Sequence, residues 1–154
     1  MYGPETRPAP FLWSEELRTG HDAIDRQHQD LYASFRGVSQ LLEVPEVNVK
    51  YWFGMVMRNT EEYVLTHFAD EEQLMAERHY PDHHLHKGLH VEIVATLHKH
   101  QAVIKQLTTA AEQIAEARSL LDFLNDWLNT HVMVDDKNFV EFMNRESVHR
   151  PSAV

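Results

Sequence analysis

Four stretches free of proline carry apolar residues at helical spacing. The first holds Ile24, Leu31, Phe35, Val38 and Leu42, and the second Phe53, Val56, Tyr63, Val64, Leu74 and Met75. The third runs through Ile93, Val94, Leu97, Ile104, Leu107, Ala111 and Ile114, and the fourth through Leu121, Leu124, Trp127, Leu128 and Phe139. Recurrence at three and four residues gathers each set on one face of an amphipathic helix. Alternating strand patterns are nearly absent, and five glycines in 154 residues offer little of the turn chemistry that β structure needs. Pro45 and Pro81 mark breaks between helices, Pro4, Pro8 and Pro10 mark an extended N-terminal arm, and Pro151 closes the tail. The third and fourth patterns meet near Glu116 to Ser119 without a strong breaker, so a single bent helix competes there with two separate ones. Short connections favour antiparallel neighbours, and the expected fold is an all-α, up-down-up-down four-helix bundle. It divides into an N-terminal arm at 1–20, the helical domain at 21–146 and a C-terminal tail at 147–154.

Some positions on these apolar faces are polar. His28 falls between Ile24 and Leu31, and His67 and Glu71 continue the line of Val56, Thr60 and Val64. Residues four apart on a helix are neighbours, so His67 with Glu71 and His86 with His90 can each present two donors to one point. His131 with Asp136 adds a third cluster. Burying these groups is costly unless they are paired, and a metal is the strongest partner available. Neutral imidazoles with a minority of carboxylates suit iron or another first-row metal, and seven donors are more than one ion normally takes. Two ions are expected.

The acidic member of the last cluster is ambiguous by spacing. Asp135, four residues past His131, lies nearer its face, whereas Asp136 at five residues is about 140° around an ideal helix. A π-bulge around Met133 to Asp135 would carry Asp136 inward, and Phe139, Val140 and Met143 continue an apolar stripe in register with it. The remaining histidines fit the site poorly. Pro81 separates His79 from His83, while His83 and His84 open the third helix on its solvent side. His98 and His100 lie about 18 Å or more along the axis from His86, although His100 can still pack inward. His21 and His149 are expected to be exposed. Met55, Met57, Met75, Met133 and Met143 are expected to fill the core, because thioethers suit softer metals.

Composition narrows the function classes. Zero cysteine excludes disulfides, thiolate-bound clusters and a cysteine nucleophile. A formal charge of -10 opposes binding to a phosphate backbone, so no nucleic-acid partner is expected. No apolar run approaches eighteen residues, and MYGPETRPAPFLW lacks the basic start and apolar middle of a signal peptide. A cytoplasmic protein without membrane insertion is expected. With 43% apolar residues, the chain suffices for one compact core.

Taken together, the motifs resemble those of the hemerythrin family. The residues that carry the resemblance are Trp13, Gly20, IDRQH at 24–28, HFADEE at 67–72, the Tyr80-Pro81 pair, HKGLH at 86–90 and WLNTHVMVDDKNF at 127–139. They span roughly residues 13 to 140, and single-domain bacterial hemerythrins are the most similar subgroup, with nothing left over for a sensory or catalytic domain. The resemblance selects Asp136 over Asp135, and selects His86 from the crowded histidine region. It implies a non-haem di-iron centre of two iron ions (Fe2+/Fe3+) with an oxo or hydroxo bridge. His86, His90 and His131 would hold one iron and His28 and His67 the other, with Glu71 and Asp136 bridging both. The two-histidine iron would keep a vacant position for dioxygen. Leu31, Phe68, Trp127, Leu128 and Val132 would surround that position as a dry pocket, though the same residues also read as ordinary core.

Reversible dioxygen binding, for storage, delivery or buffering, is the function this implies. A di-iron oxidoreductase (oxidase, peroxidase or nitric oxide reductase) is the alternative. The paired Glu-x-x-His helices of ferritin-type enzymes are absent, with only Glu146 to His149 at that spacing. A third possibility is an oxygen- or iron-sensing module whose arm or tail engages an unidentified protein partner.

Overall fold

The computed structural model describes residues 10–149, all of whose regular structure is helical. Helix α1 spans Asp22–Leu41. Helix α2 is continuous through three pieces, Val49–Asn59, a π turn at Thr60–Val64 and Leu65–Glu77. Helix α3 spans His83–Gln106. Helix α4 joins Ala110–Thr130, a second π turn at His131–Asp136 and Lys137–His149. These form the four-helix bundle, with α2 packed against α1, α3 and α4, and α3 against α4. No helix among the described residues is long and apolar enough to cross a membrane.

Local chemistry sets the helix ends. Asn48 accepts the Tyr51 amide to open α2 after the Pro45 break. At its end, His79 adopts a left-handed φ of 54°, and the amides of His79 and Tyr80 donate to the Ala76 and Met75 carbonyls. That is a Schellman cap with histidine where glycine is usual, which accounts for His79 outside the site. The α3–α4 junction lies at Leu107–Thr109 and not at Glu116 to Ser119, and the two are separate helices. Thr109 and Glu112 form a reciprocal capping box, so Ala111 and Ile114 belong to the first turns of α4. His21 is also different from expectation. It is half-buried, and its Nδ1 accepts the Ile24 amide to cap α1.

The arm has an anchored inner part. Phe11 and Leu17 are core residues, Phe11 stacks on Phe35 at 5.3 Å, and its amide donates to Asn125. Gly20, at φ 91°, lets the chain turn so that the Thr19 and Gly20 amides reach the buried Asp25 carboxylate. Pro4, Pro8 and the tail from residue 150 onward lie outside the described residues.

Two apolar clusters fill the bundle. The larger includes Leu31, Trp52, Phe53, Phe68, Leu97 and Leu124, and the smaller is Ile24, Met75, Phe139, Val140 and Met143. Between them on α1, α2 and α4 stand His28, Glu71 and Asp136. A polar layer therefore cuts the core in two. Among the methionines, Met57, Met75 and Met143 are core, whereas Met133 is exposed on the outer side of the second π turn.

Candidate metal centre

All seven donors are at most 5% exposed, and they fall into two groups with one shared member. Glu71, His86, His90 and His131 form one group, and His28, His67, Glu71 and Asp136 the other. Both carboxylates face both groups. Asp136 places Oδ1 3.2 Å from the Nε2 atoms of His86 and His131, and Oδ2 3.0 Å from His28 Nε2. Glu71 Oε2 lies 3.3 Å from His86, 3.4 Å from His90 and 3.9 Å from His67.

Helix periodicity explains each position except Asp136, which depends on the second π turn. A π turn closes on the fifth residue instead of the fourth, so His131 and Asp136 share a face and both point inward. Asp135 takes the place that α-helical spacing predicts, with a different role. Its Oδ2 accepts from His131 Nδ1 at 3.1 Å, on the outer side of the ring. Glu72 accepts from His90 Nδ1 at 2.9 Å, and Gln27 Oε1 accepts from His67 Nδ1 at 2.7 Å. Gln27 and Glu72 were not anticipated as site residues, and Asp135 was weighed only as an inner donor. An i,i+4 acid after His131 and an amide adjoining His28 in sequence are the signals that could have flagged two of them.

The outer bonds fix what the inner nitrogens present. With Nδ1–H directed outward, Nε2 of His67, His90 and His131 carries a lone pair toward the centre. His90 and His131 then face each other, Nε2 to Nε2, at 3.1 Å, a contact that is repulsive unless a cation lies between. His28 Nε2, Glu71 Oε1 and both Asp136 oxygens are buried without hydrogen-bond geometry to any partner. Converging, unpaired nitrogen and oxygen donors fit divalent or trivalent first-row metals. The electrostatics agree. Burial pushes His67 down to about 4 against the pull of Glu71, which keeps it neutral and able to ligate. Burial alone would raise the Asp136 carboxyl, but His131, His28 and His86 hold it well below the usual range. His86 is opposed by burial yet raised to about 9 by its contacts with Asp136 and Glu71.

A small internal cavity of about 20 Å3 adjoins this layer. It meets His28, His67 and Asp136 of the second group, and only His131 of the first. Leu31, Phe68, Trp127 and Leu128 line it, while Val132 is fully buried in the same apolar cluster without being a lining residue. Phe35, Thr60, Val64, Ile93, Leu97 and Leu124 complete the wall. Thr60 is its one hydroxyl, and that hydroxyl donates to the Val56 carbonyl at 2.8 Å. Leu31 and His67 also line a cleft on the outer surface with Gln27, Asp30, Glu62, Tyr63 and Thr66, so they separate the cavity from outside.

Residues 19–143 match the family model described as the hemerythrin HHE cation binding domain, a span that contains all seven donors. The chain belongs to the hemerythrin family. It is 29% identical over 134 residues to a bacteriohemerythrin of Stenotrophomonas maltophilia, covering 86% of this chain and 81% of that protein. A bacteriohemerythrin of Clostridium acetobutylicum is 26% identical, with 85% and 99% covered. Myohemerythrin of Theromyzon tessulatum is likewise 26% identical, with 84% and 90% covered. With no cysteine in the sequence, nitrogen and oxygen are the donors the centre offers.

Proposed function

We propose that this hemerythrin binds dioxygen reversibly at a non-haem di-iron centre, for storage, delivery or buffering. His86, His90 and His131 would hold one iron and His28 and His67 the other, with Glu71 and Asp136 contributing to both. Reduced iron held there would supply the electrons that bound dioxygen draws and would recover them on its release. The observation that carries this reading is the placement of the cavity, which opens on the group with two histidines and meets only His131 of the group with three. Room there is enough for one or two water-sized molecules.

The surrounding residues contribute by exclusion. Leu31, Phe68, Trp127 and Leu128 surround the open side, and Val132 packs behind them. Thr60 has its proton committed to a backbone carbonyl, so no free acid group stands in the wall except the ligands themselves. A dry wall withholds the water and protons that would promote irreversible oxidation. This favours carrying dioxygen over activating it. The test is spectroscopic. Anaerobically reduced, iron-loaded protein is expected to gain an oxygen-dependent charge-transfer absorption in air and lose it under argon over repeated cycles. Absorption that never reverses, with turnover of an added reductant, would contradict the carrier role and favour an oxidoreductase.

A further inference from the structure

The outer nitrogens of the two groups have different partners. In the three-histidine group, His90 and His131 each donate to a carboxylate, Glu72 at 2.9 Å and Asp135 at 3.1 Å. In the two-histidine group, His67 donates to the neutral amide of Gln27, and His28 Nδ1 is buried with no hydrogen-bond partner. Gln27 is itself oriented by donating to Asp70 at 3.0 Å. An amide fixes the tautomer of the ring it holds. A carboxylate does so as well and also adds negative charge, which makes the opposite nitrogen a stronger donor to a cation.

The rings of the two groups are also held differently. Phe68 stacks on His90 with centroids 3.6 Å apart and planes at 3°, and Trp127 stacks on His131 at 4.5 Å and 16°. Each of these histidines is clamped on its face by an aromatic ring and at its edge by a carboxylate. His28 and His67 meet edge to face instead, at 4.9 Å and 74°. Glu72 and Asp135 are only 20% and 29% exposed, so solvent screens their charge incompletely. Lys87, exposed, lies 3.5 Å from the other oxygen of Glu72 and steadies it from outside.

We propose that Glu72 and Asp135 are positioning residues that make the three-histidine position the tighter of the two, so that the centre fills and empties its metals in a fixed order. The three-histidine position loads first and the position beside the cavity last. This rests on the reading that both groups hold metal. In the oxidised protein, the same two carboxylates stabilise the higher charge of the ion behind them, and removing either one makes the bound iron easier to reduce.

The substitutions E72Q and D135N retain an oxygen that accepts from the histidine Nδ1–H while removing the charge. Metal-free full-length protein is titrated anaerobically with Fe2+, and separately with Zn2+. The wild type is expected to take up two equivalents in two separable steps. Each variant is expected to weaken the tighter step by about 10- to 100-fold, to leave the weaker step unchanged, and to raise the midpoint potential of the iron-loaded protein. A wild type that binds no metal would overturn the proposed function itself. A wild type that binds two equivalents with equal affinity would overturn fixed-order loading alone. So would folded variants, checked by circular dichroism, whose tighter step and midpoint match the wild type, because a role limited to holding the ring survives in the amides. If one variant does not fold, the other decides.

Discussion

The two donor groups share Glu71 and lie within one polar layer, yet they differ in four respects. One has three histidines, two of them backed by carboxylates and clamped by aromatic rings. The other has two histidines, one backed by an amide and the other with a bare outer nitrogen, and it borders the cavity. Under the proposed function, rigid rings on one side and an apolar wall on the other would give the two groups different work: the first would anchor metal, and the second would meet dioxygen.

The largest effect is expected at Asp136, whose two oxygens reach histidines of both groups. Asp136→Ala removes oxygens that face both groups, and is expected to reduce bound iron from two equivalents per chain toward none. His28→Ala, in contrast, should leave one equivalent. Elemental analysis of both variants checks this, and equal losses would show that the groups are not independent positions.

Metal removal comes next in size. Free metal at a thousandfold excess over its Kd stabilises a folded protein by about 4 kcal/mol. For a chain of this length, that corresponds to a fall in Tm of roughly 8–16 °C on chelation, by calorimetry. The metal-free protein should also become less stable on the alkaline side. His86 is held up at about 9 when folded and returns to about 6.5 when unfolded, so its contribution is complete below about 6.5 and is lost as pH rises through about 9. In the loaded protein the metal takes the place of that proton, and the alkaline loss should disappear. An identical pH profile with and without metal would contradict this.

Leu31→Ala sharpens the comparison on its open side. The substitution removes the leucine that separates the cavity from the outer cleft, at a cost of about 2–5 kcal/mol in stability. It should hasten irreversible oxidation of the reduced protein, followed by absorbance in air. Met143→Ala leaves a comparable hole in the smaller apolar cluster, away from the cavity, and should not. Equal oxidation rates in the two variants would mean that general loosening, and not water entry, limits the lifetime of the reduced state.

Much of this arrangement was legible in the chain because it depends on local periodicity. His67 and Glu71, and His86 and His90, are four apart on unbroken α-helix, so spacing alone brought each pair to one point. Asp136 was not legible by that rule, since the π turn that carries it inward changes the periodicity where it matters. The i,i+4 rule did find a true neighbour of His131 in Asp135, but could not tell an inner donor from an outer partner. The α3–α4 boundary was missed although Thr109 and Glu112 spell a capping box in sequence, because the apolar stripe runs on past it. The cavity wall required tertiary packing. Phe35, Ile93, Leu97 and Leu124 come from three helices, and periodicity marks them as core without saying which gap they surround.

On the proposed function, dioxygen meets the iron that His28 and His67 would hold. A crystal structure of reduced, iron-loaded protein exposed to dioxygen tests it most directly. The account predicts diatomic density inside the cavity, bonded to the iron of His28 and His67 and enclosed by Leu31, Phe68, Trp127 and Leu128. Density bonded to the iron of His86, His90 and His131, or a fully oxygenated protein with an empty cavity, would contradict it.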